Sequence, residues 1–173
     1  FIGISCCVKS QAADYTSGSV TYTYQNYSNG VMITYIKGVN SDNSINIPST
    51  IGGKNVLKLE NSSNNVISSP NVVTLKLPDT LVELGANSIV DCTNLQTIYI
   101  PYSVTTLSDT FISNCSKLKT IYVDENVNSN RSGIKQSALI NQITGKTPTI
   151  NKYTEGGYTF SRYAVGTGNN MEA

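Results

Sequence analysis

The sequence predicts a mainly β protein, a short solenoid of stacked coils with a β-hairpin cap at each end. Three observations carry that expectation. Residues 71–123 repeat with a period of 23 residues, as Asn71-Val72-Val73-Thr74-Leu75-Lys76-Leu77-Pro78, Asn94-Leu95-Gln96-Thr97-Ile98-Tyr99-Ile100-Pro101 and Lys117-Leu118-Lys119-Thr120-Ile121-Tyr122-Val123-Asp124, and a period of that length belongs to a solenoid. Within each unit the apolar residues fall two apart, which is the alternation of a half-buried strand. Paired alternating segments joined by turn-forming residues flank the repeats on both sides.

Taken in order, the chain divides into an amino-terminal segment (1–14), a hairpin cap (15–44), the repeats (45–124) and a carboxy-terminal cap with its tail (125–173). The opening run Phe1-Ile2-Gly3-Ile4-Ser5-Cys6-Cys7-Val8 leaves two readings open. One is the tail of a cleaved signal peptide, in which Cys6 is the candidate for lipid attachment at an imperfect processing site. The other is the start of a processed chain or fragment, pairing as an edge strand or packing over the cap. Lys9 to Ser17 reads as a polar link. Ser19-Val20-Thr21-Tyr22-Thr23-Tyr24-Gln25 and Val31-Met32-Ile33-Thr34-Tyr35-Ile36 both alternate, and the turn-rich Asn26-Tyr27-Ser28-Asn29-Gly30 between them predicts a hairpin with Gly30 taking the positive φ. A solenoid needs its first core face covered, and this hairpin is placed to do so.

In the repeats, Ile45 and Ile47 occupy the positions of Leu75 and Leu77. Pro48, Pro78 and Pro101 follow their strands and end the ladder by removing a backbone donor. Leu81 or Val104, Leu84 or Leu107, and Ile89 or Ile112 supply a return arm, and Cys92 or Cys115 closes the coil. The first unit spans 30 residues between Pro48 and Pro78 because Gly52-Gly53-Lys54-Asn55 and Asn61 to Asn65 are added; such insertions are expected in loops on the outer edge. Beyond Val123 the pattern decays through Asp124 to Gly133 and a weakly patterned Ile134 to Ile143. Thr147 to Tyr153 and Gly156 to Tyr163 then predict a second hairpin turning at Gly156-Gly157, before a tail from Ala164 to Ala173.

The pieces Leu77-Pro78-Asp79-Thr80-Leu81-Val82-Glu83-Leu84-Gly85 with Asp91-Cys92-Thr93-Asn94-Leu95, and Ile100-Pro101-Tyr102-Ser103-Val104-Thr105-Thr106-Leu107 with Asn114-Cys115-Ser116-Lys117-Leu118, resemble the BspA-type leucine-rich repeat. On that resemblance the fold is a short leucine-rich-repeat solenoid with hairpin caps. The chain departs from the family form at Ser88-Ile89 and Phe111-Ile112, where Ala-Phe is usual, and at Ser108, where Gly is common. The resemblance implies a secreted or cell-surface protein used for adhesion or recognition, with no catalytic residues.

Composition narrows the function classes. Of 173 residues only 13% are charged and the formal net charge is +1, so bulk charge suggests no nucleic-acid partner. No stretch approaches the roughly 20 apolar residues of a membrane span. With no His, a His-based general base or a Ser-His-Asp relay is excluded, and a nucleophilic Cys92 or Cys115 lacks a basic partner. Asp79, Glu83, Asp91, Asp109, Asp124 and Glu125 read as solvated turn acids, without the spacing of a calcium loop. The adjacent Cys6 and Cys7 make a poor zinc site. Cys92 and Cys115 should lie roughly 5 Å apart in neighbouring coils; buried free thiols are the expectation, and a disulfide is the alternative. No metal, cofactor or enzyme activity is expected.

What remains is a surface. Stacking aligns Thr74, Thr97 and Thr120 in one outward column and Asn46, Lys76, Tyr99 and Tyr122 in the next. Tyrosines on a rigid sheet bind with little entropy loss, which makes these seven residues the candidate recognition face. The alternative is that Thr and Tyr stand there for cross-strand pairing alone. The expected partner is a protein or glycan on another cell or matrix. A second reading makes the chain a structural subunit of a filament or layer, joining copies of itself through Phe1 to Val8 and Gly166 to Ala173. Asn26, Asn61, Asn114 and Asn130 open glycosylation triplets that an Asn- and Ser-rich chain also forms by chance.

Overall fold

The computed structural model describes residues 11–101, 103–108, 110–118, 120–124, 149–155 and 158–164. Every regular element among them is a strand. The backbone winds through about three coils with three faces. On the first face, β4 (Ser44–Asn46), β7 (Thr74–Lys76), β10 (Thr97–Ile100) and β13 (Thr120–Asp124) run parallel. The second face holds β3 (Gly30–Lys37), β6 (Lys54–Leu59), β8 (Glu83–Leu84) and β11 (Thr106–Leu107). The third is narrower, with Ile67 bridged to β9 (Ile89–Val90) and β9 paired with β12 (Ile112–Ser113).

The repeated sequence explains the coil. Ile45, Leu75 and Ile98 stand in one register row and are at most 1% exposed, so alternation delivers one apolar side chain per strand to the interior. After the prolines, Leu81 N donates to Pro78 O and Val104 N to Pro101 O, at 3.0 and 3.2 Å, turning the chain inward at Leu81 and Val104. The next corner recurs as Val72 N to Ser69 O, Leu95 N to Cys92 O and Leu118 N to Cys115 O. Asp91 and Asn114, just before the cysteines, take φ of 54° and 55°. Short polar side chains tolerate this left-handed conformation best after glycine, and Asn114 Nδ2 donates to Asp91 Oδ1 at 2.8 Å, tying one corner to the next.

The departures from the family form are accommodated by neighbours. Ser88 is fully buried, with its hydroxyl 2.9 Å from Leu59 O and 2.7 Å from Gly85 O, so its polar group is satisfied. A Cβ on Gly85 would come within 2.7 Å of Glu60 Cβ. Ser108, one period on, stacks over Gly85 itself, which has no side chain to meet.

The amino-terminal cap is larger than a hairpin. The expected polar link contains β1 (Ala13–Ser17), which pairs antiparallel with β2 (Val20–Tyr27) and makes a three-stranded meander with β3. Alternation in Tyr15-Thr16-Ser17 is too short to announce a strand exposed at all five positions. Val20, Tyr22, Val31, Ile33 and Ile36 enter the same core as the coils. The Tyr22 hydroxyl donates to Asn46 O at 3.1 Å, and burial, aided by nearby Tyr15, pushes its pKa up to about 12. Gly30 does not take the positive φ; Ser28 does, at 53°. Glycine stands at 30 because a Cβ there would collide with Asn55 O and come within 2.7 Å of the Leu57 side chain.

The insertion is likewise not all loop. Gly52 and Gly53, with φ of 59° and 76°, make the tight turn between β5 (Thr50–Ile51) and β6, a conformation glycine adopts without steric cost. Lys54 and Asn55 then open β6, the second face's rung beside β3 and β8. Only the polar run stays irregular, with Asn61 Oδ1 accepting from Ser63 N and Asn64 N at 3.0 and 2.9 Å.

At the other end, β14 (Thr149–Glu155) and β15 (Tyr158–Ala164) form the expected hairpin. It is joined edgewise, β15 pairing antiparallel with β13, so the first face becomes a six-stranded sheet in the order β14-β15-β13-β10-β7-β4. Phe1 to Ser10, including Cys6, Cys7 and the proposed joint at Phe1 to Val8, lie outside the described residues, as do Ile134 to Ile143 and the tail beyond Ala164.

Candidate recognition surface

The first face carries the sequence-predicted columns. Thr97 pairs with Thr74 on one side and Thr120 on the other, while Tyr99 pairs with Lys76 and Tyr122. Asn46 pairs with Lys76, completing the second column, and Ser44 pairs with Thr74, adding a first member to the threonine column. Asn46 and Lys76 are exposed, and Thr74, Thr97 and Tyr99 half-buried. β4, β7 and β10 are anchored beneath these positions by Ile45, Leu75 and Ile98, which are buried in the core. At the open end of the threonine column, Ser44 Oγ donates to Asp42 Oδ1 at 2.6 Å and Ser44 N to the same oxygen at 3.0 Å; these bonds hold the Asp42 carboxyl below its usual range.

Sequence reasoning missed the extension of this face. Through β15 and β14, Tyr122 pairs with Arg162 and Arg162 with Asn151, so the column runs Asn46, Lys76, Tyr99, Tyr122, Arg162, Asn151. The hairpin itself was legible, but no local signal tells which sheet edge a distant hairpin will join.

A charged cluster on the second face was also missed. Lys58 Nζ sits 2.9 Å from Glu60 Oε2 and 2.8 Å from Glu83 Oε1, and lies 5.2 Å from the Tyr27 ring centroid. The Tyr27 hydroxyl donates to Glu83 Oε2 at 3.1 Å. Burial opposes the lysine charge, but the hydrogen bonds to Glu83 and Glu60 outweigh it and hold the ammonium above its ordinary pKa. Glu83 is therefore not the solvated turn acid its sequence position suggested. The cluster, one lysine held between two glutamates, joins cap, insertion and coil through long-range contacts, which is a structural role.

At the third corner Cys92 and Cys115 are buried and free. Cys115, in contact with the Cys92 sulfur and buried, has its thiol pushed up, the opposite of an activated nucleophile. Among the glycosylation triplets, Asn61 Nδ2 is engaged with Thr34 O at 2.8 Å and Asn114 Nδ2 with Asp91; Asn26 is exposed and its Oδ1 accepts from Lys54 Nζ, and Asn130 lies outside the described residues. Among the described residues no three His, Cys, Asp or Glu side chains form a metal-holding group, and no helix is long and apolar enough to cross a membrane.

A three-faced β coil with stacked, periodic corners defines a β-solenoid. The family model of the BspA type leucine rich repeat region, in six copies, matches residues 36–161, so the chain belongs to the BspA-type leucine-rich-repeat family. Among solved structures it is similar to a leucine-rich repeat protein from Bacteroides ovatus, at 24% identity and a TM-score of 0.51, covering 63% of this chain and 29% of that one. It is also similar to a leucine rich cell surface protein from Faecalibacterium prausnitzii, at 26% identity and a TM-score of 0.49, covering 68% of this chain and 31% of that one. The chain thus spans less than a third of the length of either structure. No curated protein matches it.

Proposed function

We propose that the chain is a non-enzymatic module of an extracellular or cell-surface protein, and that its six-stranded face recognises a protein or glycan. The observation that supports this most is the register placing Lys76, Tyr99 and Tyr122 side by side on three parallel strands, with Leu75 and Ile98 of β7 and β10 buried in the core. Paired aromatic and long polar groups on a pre-organised sheet offer binding area at low entropic cost. Family membership and the neutral, Asn-, Ser- and Thr-rich composition support a surface location. Catalysis finds no support in a chain without histidine whose two described thiols are buried. The test is partner capture from cell-surface and matrix extracts with the wild-type chain and with Tyr99→Ala and Tyr122→Ala. Loss of the captured partner in both variants, with unchanged thermal unfolding, supports the reading; retention in both removes it.

A second reading, a subunit of a filament or layer, is favoured by one observation. β1 is exposed along its whole length at the edge of its sheet, and such an edge accepts a further strand. Light scattering on the full chain and on one lacking Phe1 to Val8 decides it: assembly of the first and not the second supports the joint, and two monomers exclude it.

A further inference from the structure

The column completed by the carboxy-terminal hairpin has a charge pattern that neither the repeats nor the hairpin has alone. Two cationic residues, Lys76 and Arg162, bracket two tyrosines, Tyr99 and Tyr122, on four successive strands, with Asn46 and Asn151 beyond them at the ends. Lys76 and Arg162 stand three strand spacings apart, roughly 14 Å. No acid interrupts the row. The acids at the same-face positions of β13 and β14 are Asp124, in the next row beside Phe160, and Glu155, in the row after that. Asn46 and Lys76, at the described end of the row, are exposed.

From this juxtaposition we infer that the row binds an acidic polysaccharide, its sugar rings lying on the tyrosine positions and its carboxylates meeting Lys76 and Arg162. The inference rests on the recognition reading above and narrows it to one ligand class. Arg pairs with carboxylates through two parallel hydrogen bonds and Lys attracts them as a point charge. The terminal asparagines supply the donors and acceptors that sugar hydroxyls need. The shape of the site argues against an acidic peptide. One way extended peptides dock on sheets is by pairing with a free backbone edge, whereas Lys76, Tyr99, Tyr122 and Arg162 stand on β7, β10, β13 and β15, inner strands whose backbone groups are used in the sheet's own ladder. A polysaccharide needs only the side chains.

The test is titration of the full chain with polygalacturonate, with its fully methyl-esterified form as the uncharged twin, and with polyglutamate as the acidic peptide. The expected result is binding to polygalacturonate that weakens with salt, falls about tenfold or more on esterification, and falls about tenfold or more in Lys76→Glu and in Arg162→Glu, as the loss of one charge-assisted contact predicts. Thermal unfolding, followed in parallel, should be unchanged in both variants. No binding of polygalacturonate, equal binding of the ester, insensitivity to both charge reversals, or equal dependence of polyglutamate on Lys76 and Arg162 overturns the inference. If it is overturned while a protein or neutral glycan still requires Tyr99 and Tyr122, the recognition reading stands without it. If no captured partner requires the tyrosines, both fall.

Discussion

The first and second faces of the coil are built from the same repeats and hold their strands in different ways. On the first, β4, β7, β10 and β13 pair without a register shift, and β4, β7 and β10 bury Ile45, Leu75 and Ile98 in one row. On the second, β3 meets β6 across a register shift between Val31 and Met32, β8 and β11 are two residues long, and Lys58, Glu60, Glu83 and Tyr27 are joined by polar contacts. The difference teaches that an uninterrupted period sets register through the core, whereas the face that receives an insertion uses specific polar contacts to align what the period no longer aligns.

Four experiments sharpen or break that comparison. The largest effect is expected on the first face, where Ile98→Ala removes a fully buried side chain from the middle row and should cost about 2–5 kcal/mol in urea unfolding; a loss below 1 kcal/mol, on the order of a surface change, breaks the claim that this row sets the register. Next is the alkaline limb. A folded Tyr22 that keeps its proton to about 12 stays protonated where the unfolded tyrosine, near pH 10, does not. The unfolded state then binds fewer protons, so stability falls as pH rises from about 10 towards 12. Lys58, also raised, works in the same direction: its contribution is fully present below the unfolded lysine pKa and is lost as pH rises through the folded one. Tyr22→Phe should flatten the fall, as read from thermal unfolding across that range; an unchanged slope would show that the buried hydroxyl does not titrate with unfolding.

A smaller effect is expected at the ion-pair cluster. Glu83→Gln leaves Lys58 with Glu60 and keeps the shape, and its carboxylate is partly exposed, so a loss of about 1 kcal/mol is expected after solvent screening. Removing the lysine charge as well, in Lys58→Met with Glu83→Gln, should recover part of it; a double-mutant cycle with no coupling would mean the second face is aligned without this contact. The smallest effect on stability belongs to Lys76→Ala, exposed on the first face. Its unfolding should stay within about 0.5 kcal/mol of wild type, which separates the outward column from the core row beneath it.

Much of this architecture is readable from local pattern. Leu75 and Ile98, Cys92 and Cys115, and Asp91 and Asn114 are recognisable as equivalents because each recurs 23 residues on, and their structural equivalence follows from stacking identical coils. The outward columns follow for the same reason. Gly30, β1 and the Lys58 cluster were not readable. Gly30 serves a close approach of Asn55 and Leu57 from a segment 25 or more residues away. Glu83 finds Lys58 only because the coil returns past it after an insertion of irregular length.

The sequence by itself determined the period, the strand alternation, the corner residues and the two terminal hairpin patterns, since each depends on neighbours within one coil. Only the tertiary structure decided which edges those patterns join: β3 beside β6 on the second face, and β15 beside β13 on the first, where Arg162 meets the column of Tyr122. The physical reason is that alternation is a property of a strand and its core, whereas the choice of partner between distant segments depends on loop closure and on which sheet edge the folded coil leaves open.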